Sequence, residues 1–175
     1  MTTNVVQTVP HEVRRLAVPL SASYEEAVRR YERLVPVVDD ARLQQLASEG
    51  ASWEAIVELA VQNAPLEFMI YWRADFAPVM ALAGDRWQCV AYLMGNHTTA
   101  QPMFHHDPAV MLYAPLRTAI YVGSEGGTWF TVDQPSTLFD SFGNPAIAAV
   151  GLDVDHKLGR LIEALGGPVP GELRS

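Results

Sequence analysis

The sequence predicts an α+β fold, in which a mostly antiparallel sheet carries helices packed on one face. Two local signals support this prediction, a β-hairpin pattern within 116–132 and a long amphipathic helix near 145–165. A chain of 175 residues is long enough to bury about two-thirds of its unfolded surface. We therefore expect a single domain at 11–167, between a flexible arm at 1–10 and a loose tail at 168–175.

The first third of the chain shows one strand signal followed by three helical ones. A strand is predicted at 12–20 and an amphipathic helix at 23–35. Two further helices are predicted within 38–64, which we interpret as an inserted helical pair. The predicted N-caps of these three helices are Ser23, Asp40 and Ser52.

The middle of the chain predicts two more strands around a short helix. The segment 66–72 is rich in β-branched and aromatic residues, as is 86–94. Between them, 76–84 has a proline in its first turn and ends in glycine, which favours a short helix. We expect these strands to pair in the same sheet as the hairpin.

A histidine-rich segment follows, and Pro102 restricts where its helix can begin. Inside a helix, proline removes a backbone hydrogen bond and crowds the preceding turn. With Thr99 as the N-cap, Pro102 would fall at the third helical position, where no backbone donor is needed. The sequence thus predicts a helix at 100–106, stopped by Asp107-Pro108.

The hairpin strands 116–122 and 128–132 have two different faces. One face carries Leu116, Thr118, Ile120, Val122, Thr128, Phe130 and Val132, and the other is mixed: Arg117, Tyr121, Trp129, Thr131 and Asp133. Neighbouring strands would add Tyr71 and Tyr92 to this mixed face. It is either a surface for an organic ligand or a partner, or ordinary core beneath the inserted helices.

The last helix has clear signals at both ends. Asn144 is the predicted N-cap and Pro145 the first helical residue. Apolar residues recur at helical spacing from Ile147 to Leu165, and Gly166-Gly167 stops the helix. We expect this stripe to pack on the sheet.

Composition excludes several classes of partner. The formal net charge of −8 disfavours nucleic acids and anionic membranes, which bind clusters of lysine and arginine. The lone cysteine, Cys89, allows no internal disulfide, and we expect it to be a small buried hydrophobe rather than a nucleophile. There is no signal-peptide pattern and no apolar run long enough to span a bilayer. We expect a cytoplasmic protein.

The order of these elements resembles the domain-of-unknown-function family 302 over roughly residues 66–165. The resemblance lies in the short helix ending at Gly84, the strand entering Gly95-Asn96, and Pro115 before the hairpin. It implies a two-layer α+β sandwich with a topology like that of the TATA-binding protein, often dimeric. His97 stands where the family commonly has proline, and the family implies no activity.

Three residues form the candidate acid–base site. His97 follows a strand and precedes a helix, at a rim where polar side chains can converge on a pocket. Tyr113 and Arg117 would supply a hydrogen-bond donor and an anion clamp. In the alternative interpretation, Arg117 pairs with Asp133 across the hairpin and Tyr113 only packs.

A metal or haem site is a second hypothesis, using His97 or His105. His105 and His106 are adjacent, so on a helix they point about 100° apart and cannot share one metal easily. We therefore expect no metal site and no cofactor, and we expect His106 to lie exposed near the helix end, where an imidazolium suits the helix dipole.

The first function hypothesis is therefore a small-molecule site between sheet and helices, serving ligand binding or cofactor-free acid–base chemistry. Its predicted ligand-binding residues are Asn96, His105, Tyr121 and Trp129. A third hypothesis is a non-catalytic interaction module that forms a homodimer through the mixed face.

Overall fold

A five-stranded antiparallel sheet forms one layer of the molecule in the computed structural model, which describes residues 5–174. Its spatial order is β1-β5-β4-β3-β2. The strands are β1 (Arg15–Leu20), β2 (Met69–Asp75), β3 (Cys89–Gly95), β4 (Leu116–Val122) and β5 (Thr128–Asp133). The predicted hairpin is confirmed as β4 and β5, in which Thr118 lies opposite Val132.

Helices form the second layer, so the predicted α+β class is confirmed. They are α1 (Tyr24–Leu34), α2 (Asp40–Ser48), α3 (Trp53–Asn63), α4 (Ala77–Met80), α5 (His97–His106), α6 (Pro135–Phe139) and α7 (Pro145–Leu165). Single 3-10 turns follow at Ala81–Ala83, Pro108–Leu112, Asp140–Phe142 and Gly171–Leu173. The last long helix has the predicted bounds, with the Asn144 side chain accepting from the Ala146 N–H.

Alternate strand residues point toward this helical layer and form the core. Ile120 and Phe130 from the sheet and Leu158 from α7 are fully buried in one cluster, together with Tyr31 from α1. The Tyr31 hydroxyl lies 3.0 Å from Oγ1 of Thr118, so the polar atoms within this core are paired. We call this side of the sheet the covered face.

The opposite side of the sheet contains no buried residue except Met69, which packs against α3 at the start of β2. We call this side beyond Met69 the open face, and it consists of Arg15, Ala17, Pro19, Trp72, Ala74, Cys89, Ala91, Leu93, Arg117, Ala119, Tyr121, Trp129, Thr131 and Asp133. Tyr121 and Trp129 are cross-strand neighbours on it, as predicted. Tyr92 is not part of it, because its ring lies on the covered face and stacks against Tyr31 at a centroid distance of 4.6 Å.

A β-bulge interrupts β2 at Tyr71. Ile70 pairs with Met94, whereas Trp72 pairs with Leu93, so Tyr71 is an extra residue without a cross-strand partner. Because of the bulge, Trp72 points to the open face.

The predicted helical pair is present as α2 and α3, next to β2. Met69 packs with Ala60 of α3 and with Ala64, which caps the end of that helix, and Val38 and Tyr71 lie against this small cluster. The N-cap of α2 is Asp39 rather than the predicted Asp40, since the Asp39 carboxylate accepts from the N–H of Arg42.

The predicted start of α5 is wrong, because the helix begins at His97 and not at residue 100. Asn96 caps it, with Oδ1 accepting from the N–H and hydroxyl of Thr98 at 2.9 and 2.7 Å. Pro102 therefore lies inside the helix, where it removes the hydrogen bond that its position would give to the Thr98 carbonyl.

The two chain ends were predicted to be an arm at 1–10 and a loose tail at 168–175. Residues 1–4 and 175 lie outside the described residues, and residues 5–10 are exposed without regular structure. In the tail, Leu173 is buried and packs near Gly159 of α7.

Candidate functional site

The start of α5 is anchored by a charged cluster on its flank. The Asn96 side-chain amide donates to the carbonyl of Glu67 at 3.2 Å. Glu67 has a positive φ of 63°, and its carboxylate is bound by Lys157 at 3.0 Å and by Arg160. Lys157 also binds Asp153 at 2.8 Å. These contacts fix the loop before β2 to α7 and hold the cap residue of α5 in place.

Burial and ion pairing act in opposite directions on Lys157. Desolvation lowers the pKa of its ammonium group, but the hydrogen bonds to Asp153 and Glu67 outweigh this effect and leave the pKa raised. Lys157 therefore remains charged and works as a clamp at neutral pH.

His97 and Tyr71 form a hydrogen-bonded pair at the first turn of α5. The Tyr71 hydroxyl lies 2.8 Å from Nδ1 of His97. The same oxygen accepts the backbone N–H of His97 at 3.1 Å. Tyr71 reaches His97 because the bulge in β2 places its ring beside Gly95.

The other ring nitrogen of His97 is buried. Nε2 is sealed from solvent and has no hydrogen-bond partner among the described residues. Burial lowers the pKa of His97 and also raises that of Tyr71. Both side chains are consequently neutral near pH 7.

A cavity of about 140 Å³ adjoins this pair. Its walls are mostly apolar, and the lining residues are Tyr71, Gly95, Asn96, His97, Ala100, Met111, Ala114 and Pro115. The peptide bond between Ala114 and Pro115 is cis. We call this space the His97 cavity.

A larger cavity of about 400 Å³ lies next to it and shares Met111 and Pro115 as walls. Tyr113, Arg117 and Asp133 line this second space. Arg117 and Asp133 are on neighbouring strands, but no ion pair joins them in the part of the chain that the structure describes. A third hollow, of about 380 Å³, extends from Arg117 to Trp72 and Phe76 on the open face.

The predicted acid–base residues thus divide between two neighbouring cavities. His97 lines the small one, whereas Tyr113 and Arg117 line the large one. The Tyr113 hydroxyl lies 3.2 Å from Nε2 of His11 in the N-terminal arm, so it does not contact His97. The tyrosine that contacts His97 is Tyr71.

The predicted ligand-binding residues are also dispersed. Asn96 lines the His97 cavity, whereas Tyr121 and Trp129 lie on the open face. His105 is exposed at the far end of α5, with its ring at 5.5 Å from that of His106. Of this set, only Asn96 adjoins His97.

No described residues form a metal site of the usual kind, since no group of three His, Cys, Asp or Glu side chains converges within residues 5–174. Over the same residues, no helix is both long and apolar enough to cross a membrane.

Comparison with known proteins assigns the chain to a family. The family model described as "Domain of unknown function DUF302" matches residues 44–165, which is more than half of the chain. The chain belongs to the DUF302 family. The match includes α3 and the second half of α2, and it confirms the resemblance noted from the sequence.

A solved DUF302 structure shows the same fold. It is the crystal structure of an uncharacterized conserved DUF302 protein from Bacillus stearothermophilus, which shares 16% sequence identity with this chain. The alignment covers 86% of this chain and 97% of that one, with a TM-score of 0.62. At this identity the likeness extends to the fold alone. No curated protein matches the chain.

Proposed function

We propose that this DUF302 protein binds a small organic molecule in the His97 cavity, as a ligand or as the substrate of cofactor-free acid–base chemistry. The observation that supports this most directly is the buried, unpartnered Nε2 of His97 beside an apolar cavity. A buried polar atom without a partner costs free energy, which a bound ligand atom would recover.

The size of the cavity limits the ligand. At about 140 Å³ it is close to engineered protein cavities of about 150 Å³ that bind benzene. Larger ligands would extend past Met111 into the neighbouring cavity, where Tyr113 and Arg117 lie. Arg117 would then act as the anion clamp that the sequence analysis predicted.

In the acid–base form of the proposal, neutral His97 donates a hydrogen bond from its free ring nitrogen to the reacting oxygen of the substrate, and Tyr71 orients its ring. Burial keeps the imidazole neutral near pH 7 by lowering its pKa, so one ring nitrogen carries a proton and the other accepts one. Tyr71 stays protonated, because burial raises its pKa.

The described residues do not fit haem or a divalent metal. The His97 cavity is smaller than the roughly 300–1,000 Å³ of ordinary cofactor sites, and His97 is its one imidazole. His105 lies exposed on the surface and does not line the His97 cavity. The proposed chemistry therefore uses neither a bound metal nor haem.

The test of this function is binding of benzene, followed through the NMR signals of the Ala100 and Met111 methyl groups. Saturable shifts are expected in the wild-type protein. Ala100→Leu should abolish them by filling the cavity, whereas Ala109→Leu, at an exposed position outside the lining, should leave them unchanged. Shifts that persist in Ala100→Leu would place the ligand elsewhere.

We also propose that a second copy of the chain covers the open face, forming a homodimer. This proposal is supported by the exposure of Trp72, at 46%, and by the partly exposed Tyr121–Trp129 pair on the open face. Large apolar side chains collected on one surface are typical of an interface.

Light scattering at micromolar concentration tests this second proposal, and a dimer mass is expected. Ala119 lies on β4, the central strand, so Ala119→Glu should give a monomer without unfolding the chain. Gln101→Glu, on an exposed position of α5, is the matched control. Monomer mass for the wild type would refute the dimer.

We also propose a cytoplasmic location, which is supported by the free thiol of Cys89.

A further inference from the structure

The hydroxyl of Tyr71 determines which nitrogen of His97 carries the ring proton. Its oxygen already accepts the backbone N–H of His97, and its single proton can be donated to Nδ1 at 2.8 Å. A neutral imidazole that accepts at Nδ1 must carry its proton on Nε2. With the opposite tautomer, the phenol proton and Nε2 would both lack a partner among residues 5–174.

We propose that Tyr71 is a positioning residue that holds His97 in the Nε2–H tautomer, so that the cavity selects compact, uncharged molecules with one hydrogen-bond acceptor. Monoketones and aldehydes of about the size of benzene are the class that this chemistry fits. The ligand class rests on the proposed function, whereas the tautomer does not.

The walls of the cavity explain why the ligand is uncharged. Ala100, Met111, Ala114 and Pro115 offer no counter-charge, and burying an ion without one is costly. A ligand that presents only donors would meet the Nε2–H donor and leave it unsatisfied. A carbonyl oxygen accepts from Nε2–H while the rest of the molecule contacts apolar walls.

A ligand atom can reach Nε2 only if a neighbouring side chain moves, because Nε2 is sealed from solvent. Met111 is the wall residue suited to this movement. It is 47% exposed, its side chain is unbranched, and it separates the His97 cavity from the larger one. A ligand therefore enters from the side of Tyr113.

The tautomer is tested first, without a ligand, by long-range proton–nitrogen NMR of protein labelled with ¹⁵N-histidine. The His97 signals are assigned by their loss in His97→Asn. At pH 7.5 we expect the Nε2–H tautomer in the wild type, and Tyr71→Phe should move the population toward Nδ1–H. Tyr113→Phe removes a hydroxyl that contacts His11 instead, so it should change nothing at His97.

A wild-type spectrum with the Nδ1–H tautomer would overturn the role of Tyr71, and this measurement stands even if Tyr71→Phe fails to fold. A Tyr71→Phe protein that folds and keeps the wild-type tautomer would overturn it as well.

The ligand class is tested with two probes of matched shape, cyclohexanone and methylenecyclohexane, of which only the ketone has an oxygen acceptor. Cyclohexanone should bind at least tenfold more tightly and shift the Nε2–H proton signal. Equal affinities would overturn the ligand class and leave the cavity as a binding site. If neither probe binds at millimolar concentration, the proposed function and the ligand class both fail, and the tautomer is judged by its own measurement.

Discussion

Neighbouring residues of β5 have opposite environments, although they belong to one strand and are both large aromatics. Phe130 is fully buried on the covered face, among side chains from α1 and α7. Trp129 points the other way, stays partly exposed, and lies against Gly123, whose backbone it approaches closely. The same contrast holds along β4, where Ile120 is buried and Arg117 is exposed.

Which residues share a face of the sheet, and which face the helices cover, are decided by different contacts. Alternation decides which residues share a face. It does not decide which face the helices cover, because that depends on contacts made elsewhere in the chain. On the covered face the buried hydroxyls are paired, Tyr31 with Thr118 and Tyr92 with Glu32. On the open face, Arg117 has no ion pair within the described residues.

Truncating the two aromatics of β5 should show the largest difference between the covered and open faces. Phe130→Ala should cost about 3–5 kcal/mol in the free energy of unfolding, because it leaves a cavity in the core. Trp129→Ala should cost about 1 kcal/mol when measured on the monomer, since its ring is already partly in water. Urea denaturation measures both, and similar losses would mean that the open face is covered in solution.

The same contrast between buried and exposed residues can be tested on α7, which packs on the covered face. Leu158→Ala should lower the free energy of unfolding by about 2–5 kcal/mol, because Leu158 is fully buried. Leu152 lies on the same helix but is 47% exposed, so Leu152→Ala should cost about 0.5 kcal/mol. A loss below about 0.5 kcal/mol for Leu158→Ala would contradict the packing of α7 on the sheet.

Substituting the histidines of α5 should have a smaller effect, on ligand affinity, and it tests at which end of this helix the ligand binds. His97→Ala should weaken cyclohexanone binding at least tenfold, or by about 1.4 kcal/mol. His106→Ala should leave it within twofold, because His106 is exposed near the helix C-terminus. Isothermal titration measures both affinities, and equal large losses would refute the separation of the two histidines.

The smallest expected effect is a dependence of stability on pH. Burial lowers the pKa of His97, so between the folded and unfolded pKa values the unfolded chain binds more protons. Stability should therefore fall as pH drops below about 6.5, the usual pKa of unfolded histidine. His97→Asn should lose less free energy of unfolding than the wild type between pH 7.5 and pH 5. Parallel losses would show that groups other than His97 cause the effect.

Local signals were enough for the hairpin and for α7. Asn144, Pro145 and Gly166 mark the ends of α7 through contacts within a few residues, and Gly166 has the positive φ of 85° that favours glycine at a helix end. The strands of the hairpin likewise follow from alternation alone.

The start of α5 could not be predicted in this way, because its cap depends on a distant contact. Asn96 is oriented by the backbone carbonyl of Glu67, a residue whose carboxylate is held by Lys157 and Arg160 of α7. Thr99, the predicted cap, instead accepts a hydrogen bond from Lys157 at 3.3 Å. Intrinsic preference around Pro102 favoured a later start, and these tertiary contacts outweigh it.

The site was predicted in part. His97 and Asn96 were identified because they follow a strand end. Tyr71 was expected only as a member of the mixed face, since its contact with His97 requires a bulge in β2 that no sequence feature marked. Tyr113 was chosen instead because it is nearer to Arg117 along the chain.

The bulge at Tyr71 decides to which face of the sheet each later residue of β2 points. If Tyr71 instead paired regularly with Leu93, Trp72 would lie opposite Tyr92 and compete for space in the covered layer. Arg73 would turn to the open face and lose its 2.8 Å contact with Glu32 of α1. Deleting Tyr71 would remove the bulge, leave Trp72 opposite Leu93, and take away the hydrogen-bond partner of His97. The bulge therefore lets one strand supply Tyr71 to the His97 cavity and Trp72 to the open face.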